Sequence, residues 1–201
     1  MTRGRPIAFS PDQAASAAMR VFWQHGFEAA STRDLLEAMA ISRSSLYQAF
    51  GNKEQLFLES LRRYRETLLA RLERRLDTAP SAMACLESLF GDTAGEAGSE
   101  RAALGCLIFN SATELGQRGD LPAEQARQSL AAINAFFERA VREAQAEGDI
   151  APERDPEALA GYLTMGMAGL RTLLKSGADA RQAHQAVDLL LEILKAGRPG
   201  R

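Results

Sequence analysis

The 201-residue chain is 46% hydrophobic and 25% charged, with a formal net charge of -2; it can bury a core, which excludes a disordered or low-complexity polymer. Two cysteines exclude a disulfide scaffold, two well-separated histidines exclude a zinc motif, and no apolar run nears the ~18 residues that span a bilayer. A cytoplasmic protein without metal, cofactor or membrane partner is the expectation, since no apolar segment follows Arg3 and Arg5 as a secretory leader requires.

Charge is unevenly spread. Up to Arg75 the chain carries 12 Lys and Arg against 8 Asp and Glu, and after it 12 against 18. The basic part is the one suited to phosphates, although chance scatter of surface charge gives the same tally.

Ser10-Pro11-Asp12-Gln13 reads as an N-cap, a proline at the first helical position and a capping-box partner. The stripe Ala15, Ala18, Met19 and Phe22 predicts a first helix from about Pro11 to His25, with Gly26 as its left-handed stop. Ser31 and Asp34 cap a short second helix with Leu35, Ala38 and Met39 on its buried side, and Ser42 caps a third through Phe50. Asn52-Lys53-Glu54-Gln55 opens a fourth that runs to about Arg74. Pro80-Ser81 and Gly91 bracket a fifth, and Asp92 to Arg101, rich in Gly, Glu and Ser, reads as a mobile loop. A sixth helix is predicted over Gly105 to Leu115, a seventh over Pro122 to Glu147, an eighth from Asp155-Pro156 to Lys175 and a ninth from about Ala180 to Lys195. No strand pattern competes. The predicted fold class is all-α: an N-terminal helix-turn-helix three-helix domain over residues 1–51, then a larger helical domain over 52–201, with the helix over 52–75 as connector.

Two short helices joined by a tight turn behind a longer helix form a helix-turn-helix unit, whose second short helix is the reader of DNA. Leu46 and Phe50, four apart, point inward and leave Arg43, Ser44, Tyr47 and Gln48 outward. Arginine pairs in bidentate fashion with guanine, glutamine with adenine, and serine with bases or backbone. A solvated polar helix face carries the same residue types. Ahead of the first helix, Arg3-Gly4-Arg5-Pro6 can lie along a narrow minor groove or form an unstructured basic tail.

The run Ala17-Ala18-Met19-Arg20-Val21-Phe22-Trp23-Gln24-His25-Gly26-Phe27, then Ser31-Thr32-Arg33-Asp34-Leu35, then Ile41 to Phe57 with its Leu46-Tyr47 pair, Phe50 and Asn52-Lys53-Glu54, resembles the tetracycline-repressor (TetR) family over roughly Phe9 to Tyr64. The resemblance implies a homodimer that binds double-stranded operator DNA and carries a larger helical domain for a small-molecule effector and for dimerisation. It implies that Thr32 and Arg33 touch backbone or base, that Arg43, Ser44, Ser45 and Gln48 face bases, and that Tyr47 and Lys53 hold phosphates. With Arg3, Arg5 and the capping Ser42 these make the expected DNA-contacting set. One position departs: the family usually has glycine where this chain has Ala40, a costly exchange if that residue needs a positive φ.

The acidic part holds no nucleophile elbow and no phosphate loop, so a regulator is expected and not an enzyme. Cys106, Phe109, Asn110, Phe137 and Met165 are the expected pocket residues. Cys106 reads either as a reactive thiol sensing oxidants or electrophiles, or as a small core residue. Gly161, Gly166 and Gly169 punctuate an apolar helix. The stripes Leu163, Met167, Leu170 and Leu174, and Val187, Leu190, Leu191 and Leu194, are the expected dimer surface, with an intramolecular core as the alternative. A helical dimer acting only through protein partners is the reading outside DNA binding.

Overall fold

The computed structural model describes residues 10–195, so the expected contacts of Arg3 and Arg5 lie outside the described residues. Its helices are α1 (Pro11–Ala29), α2 (Thr32–Met39), α3 (Arg43–Phe50), α4 (Lys53–Thr78), α5 (Ala82–Gly95), α6 (Glu100–Leu104), α7 (Leu107–Leu115), α8 (Leu121–Ala146), α9 (Pro156–Lys175) and α10 (Ala180–Lys195).

Local chemistry starts the first four helices. Ser10 accepts the Gln13 N–H, Ser42 that of Ser45 and Asn52 that of Gln55, while Ser31 and Asp34 cap each other reciprocally. The Ser31 hydroxyl is the first reason the Asp34 carboxyl titrates below its ordinary range. An aromatic knot holds the head together: the Phe57 ring stands edge-on to Phe22 at 5.2 Å and 4.8 Å from Phe27, with Leu35, Leu46 and Leu56 buried around it. Because Leu56 and Phe57 belong to α4, the head is built on the first turns of the long helix that continues into the second part of the chain. There α8 packs against α4, α5, α7 and α9, and α10 lies on α5 and α9.

Three expectations change. Gly26 has the expected positive φ of 81°, but its ψ of 178° is extended, and one more helical turn follows through Ala29. The predicted loop after Gly91 is largely helical: α5 continues to Gly95 because Thr93 and Ala94 are buried, and Ser99 caps the short α6 by accepting the Ala102 N–H. Ala38, expected on the buried side of α2, is exposed, and Leu36 packs on the core instead.

Ala40 caps α2 in the left-handed region, at φ 52° and ψ 41°. A Cβ is strained there and glycine is not, so Ala40→Gly is expected to stabilise the head by up to about 1 kcal/mol. Thermal unfolding then shifts upward by roughly 2–4 °C. A midpoint that falls contradicts the strain.

Candidate functional site

The outer face of α3 is polar and open. Arg43, Ser44 and Gln48 are exposed and Tyr47 stands 53% exposed, while Leu46 anchors the helix and Phe50 is half-buried. No carboxylate sits in the first turn of α3, so its free backbone N–H groups meet no local anion. The three predicted serines differ from one another. The Ser42 hydroxyl is committed to the cap and lies 2.8 Å from that of Ser44 and 2.9 Å from that of Ser45. Ser45 is half-buried, which leaves Ser44 as the serine most open to a base edge. On α2, Arg33 is exposed and Thr32 half-buried. Lys53, expected on phosphate, donates to the Glu28 carbonyl oxygen at 3.1 Å and lies 4.9 Å above the Phe27 ring, with further N–H groups of the ammonium free for a second acceptor.

The joint between head and second part is polar and specific. Beyond Gly26, the Phe27 N–H donates to Oε2 of Glu114 at 3.0 Å and the Glu28 N–H to its Oε1 at 2.9 Å. One carboxylate of α7 thus satisfies two backbone donors at the start of the last turn of α1, and Arg118 completes the joint through an ion pair with Glu28. A Cβ on Gly26 would stand 2.6 Å from Oε2 of Glu114, so the close approach needs glycine. Sequence reading missed Glu114 entirely, because its partners lie far off along the chain.

A cleft adjoins this joint, and a second cavity shares Phe109 and Arg171 with that cleft. A wide cleft of about 1180 Å³ is lined by Trp23 to Gly26 of α1, by Asn110, Thr113 and Glu114 of α7, and by residues of α8 and α9 that include Asn134 and Met165. A small internal cavity of about 40 Å³ lies among α4 to α9, with Tyr64, Cys106, Phe137, Arg101 and Arg171 in its wall. The five expected pocket residues are therefore divided: Cys106 and Phe137 line the internal cavity, Asn110 and Met165 the cleft, and Phe109 both. Asn110 also has a structural task, its Nδ2 donating to the Leu104 carbonyl oxygen at 2.9 Å. Cys106 is buried and accepts the Tyr64 hydroxyl at 3.5 Å, a setting that favours a small core residue over an accessible reactive thiol. Burial foremost raises the Tyr64 phenol well above its ordinary pKa, so it stays a neutral donor.

Residues 15–60 match bacterial regulatory proteins of the tetR family, and residues 82–190 match the tetracyclin repressor-like C-terminal domain. The chain belongs to the tetR family. Among its relatives, the HTH-type transcriptional repressor ComR of Escherichia coli (strain K12) is 32% identical over 198 residues, covering 96% of this chain and 92% of ComR. The HTH-type regulator YezE of Bacillus subtilis (strain 168) is 31% identical over 193 residues, covering 95% and 99%. A cysteine-substituted CifR, a TetR-family regulator solved on a 26-base-pair double-strand operator, superposes with a TM-score of 0.81 at 32% identity, covering 95% of this chain and 100% of that one. Membership makes this chain a helix-turn-helix DNA-binding transcriptional regulator, and α2 and α3 are the two helices of that motif.

Within the tetR fold, the predicted dimer residues need correcting. Leu163, Met167, Leu170, Leu174, Val187, Leu191 and Leu194 are buried inside the chain's own core, so they have no surface for a second subunit. Leu190, partly buried, fills the space at Gly166, where an added Cβ would meet its Cδ1 at 2.0 Å. These stripes join α9 and α10 to their own core. The exposed apolar side chains on the same helices are Met165 at 64%, Leu189 at 65% and Ile193 at 47%, and a Cβ on Gly161 or Gly169 would meet nothing.

Proposed function

We propose that the chain is a cytoplasmic homodimeric repressor that grips a palindromic operator through α3 and releases it when a small molecule occupies the second domain. The observation that carries this reading is the open face of Arg43, Ser44, Tyr47 and Gln48 on a short helix held rigidly by Leu46 and the aromatic knot behind it. Residues 1–51 act as the DNA-binding unit, 52–201 as the effector and dimerisation unit, and α4 connects them. Thr32, Arg33, Tyr47 and Lys53 contact phosphates or backbone; Arg43, Ser44 and Gln48 read bases; Ser42 and Ser45 hold the N-terminus of α3 in shape. The release mechanism is supported by the joint at Glu114, which binds the head to the wall of the cleft. An effector that favours one head spacing over another weakens the operator, and the operator weakens the effector by the same factor.

Selection of bound fragments from random duplex DNA, followed by a salt titration, tests the reading. A two-fold symmetric consensus and a steep loss of affinity with salt are expected. Arg43→Ala or Gln48→Ala is expected to relax the consensus at one position of each half-site, at about 1–3 kcal/mol per bidentate contact. No enrichment from the library contradicts the reading, and variants that keep the parent consensus move the base contacts elsewhere.

A further inference from the structure

The small internal cavity has two kinds of wall. Leu72, Phe109, Ile133, Phe137 and Met167 are apolar, whereas Arg71, Arg101 and Arg171 bring guanidinium groups to the same space. One carboxylate, Glu96, serves this cluster. Arg171, with a side chain only 10% exposed, pairs with it and reaches the Thr93 hydroxyl at 3.5 Å. Arg101 holds its Nε 3.4 Å from Glu96, and that buried Nε has no hydrogen-bond partner. Arg71 makes no ion pair with any described residue. Arg71 is exposed to solvent on one side, and the apolar wall beside its guanidinium foremost, then the like charge of Arg101, lower its pKa. Tyr64 and Cys106, the other titratable groups in the wall, are bonded to each other.

Clustered cations beside apolar walls repel one another more strongly than in water, and a buried N–H without an acceptor adds a desolvation cost. An entering anion relieves both. The apolar remainder of the wall asks for a hydrocarbon portion, and about 40 Å³ limits the occupant to a few heavy atoms. We propose that this cavity binds a short-chain carboxylate, its oxygens on Arg71 and Arg101 beside the buried Arg171 and its alkyl group against Ile133, Phe137 and Met167. The proposal rests on the effector-responsive reading above and names the chemistry of the effector.

The link to the head is one side chain long. Trp23 of α1 has the Arg101 guanidinium 5.4 Å from its ring centroid and stands edge-on to Tyr64 at 4.9 Å. A carboxylate that draws Arg101 toward the cavity weakens its cation–π contact with the head. Trp23 is also the single tryptophan of the chain, so its fluorescence reports on this contact without a label.

The test is a fluorescence titration of the full chain with acetate, propionate and butyrate, against the matched primary amides and inorganic phosphate, at ionic strength held constant with chloride. Saturable change with propionate or butyrate, and none with their amides, is expected. Arg71→Gln is expected to weaken that binding by about 10-fold, as loss of a charge-assisted contact does, with a melting temperature that does not fall. The proposal is overturned if the amides match the acids, if phosphate binds more tightly than propionate, if no acid gives a saturable response, or if Arg71→Gln leaves the affinity as it was. A parallel titration with operator duplex separates the two readings. An acid that binds as described but leaves operator affinity unchanged supports the carboxylate site and defeats effector release; an amide that loosens the operator supports effector release and defeats the carboxylate site.

Discussion

Leu189→Glu is expected to leave the chain folded but monomeric, and to lower its affinity for a palindromic operator by about 10²- to 10⁴-fold, the range gained when two binding modules are linked. The side chain is 65% exposed on α10 and makes no part of the chain's own core, so the new carboxylate disturbs little within one subunit. Across an interface formed by α9 and α10, with Met165 and Ile193 on the same two helices, it buries a charge without a partner. Sedimentation reports the oligomeric state and an operator titration the affinity. Leu121→Glu is the control: Leu121 is similarly exposed, at 57%, but opens α8, and its variant is expected to remain dimeric. A dimeric Leu189→Glu protein with full operator affinity would move the interface off α10.

What the sequence disclosed and what it hid divide along a physical line. Caps are local, so Ser31 with Asp34, Ser42 and Asn52 announce their helices within three residues. The inward Leu46 follows from helical period in the same way. Apolar periodicity also locates α9 and α10, but it does not say which neighbour the stripe meets, and Leu163, Leu170 and Leu194, expected on a dimer surface, turn inward to the chain's own core. The stretch from Asp92 to Arg101 was obscured by composition: Gly, Glu and Ser read as loop, while burial of Thr93 and Ala94 sustains the helix. Long-range polar contacts leave no signature at all. Glu114 is one of many acidic residues until the fold brings it to Phe27 and Glu28, and Arg71, Arg101 and Arg171 are scattered over α4, α6 and α9 until they line one cavity, where Arg101 and Arg171 share Glu96.

Glu114→Ala is expected to loosen the head where it meets the cleft. Helical structure resumes after Gly26, and the N–H groups of Phe27 and Glu28 have the Glu114 carboxylate as their acceptor, at 3.0 and 2.9 Å. Hydrogen bonds to a charged group contribute roughly 1.5–3 kcal/mol each, and solvent exposure at Glu28 discounts this pair below that sum, to about 2 kcal/mol for the joint. Amide exchange at Phe27 and Glu28 should therefore quicken by about 30-fold in the free protein, while the amides of Phe57 and Leu61, deeper in the knot, keep their protection. Glu114→Gln retains one side-chain oxygen and falls between the two. Gly26→Ala reaches the same loosened state from the other side, since its positive φ strains any Cβ and its Cβ would press on the carboxylate at 2.6 Å. Heads released from one fixed spacing lose preorganisation, so operator affinity falls in step with exchange across the three variants. Unchanged exchange at Phe27 and Glu28 in Glu114→Ala would show that the aromatic knot holds the head without this carboxylate.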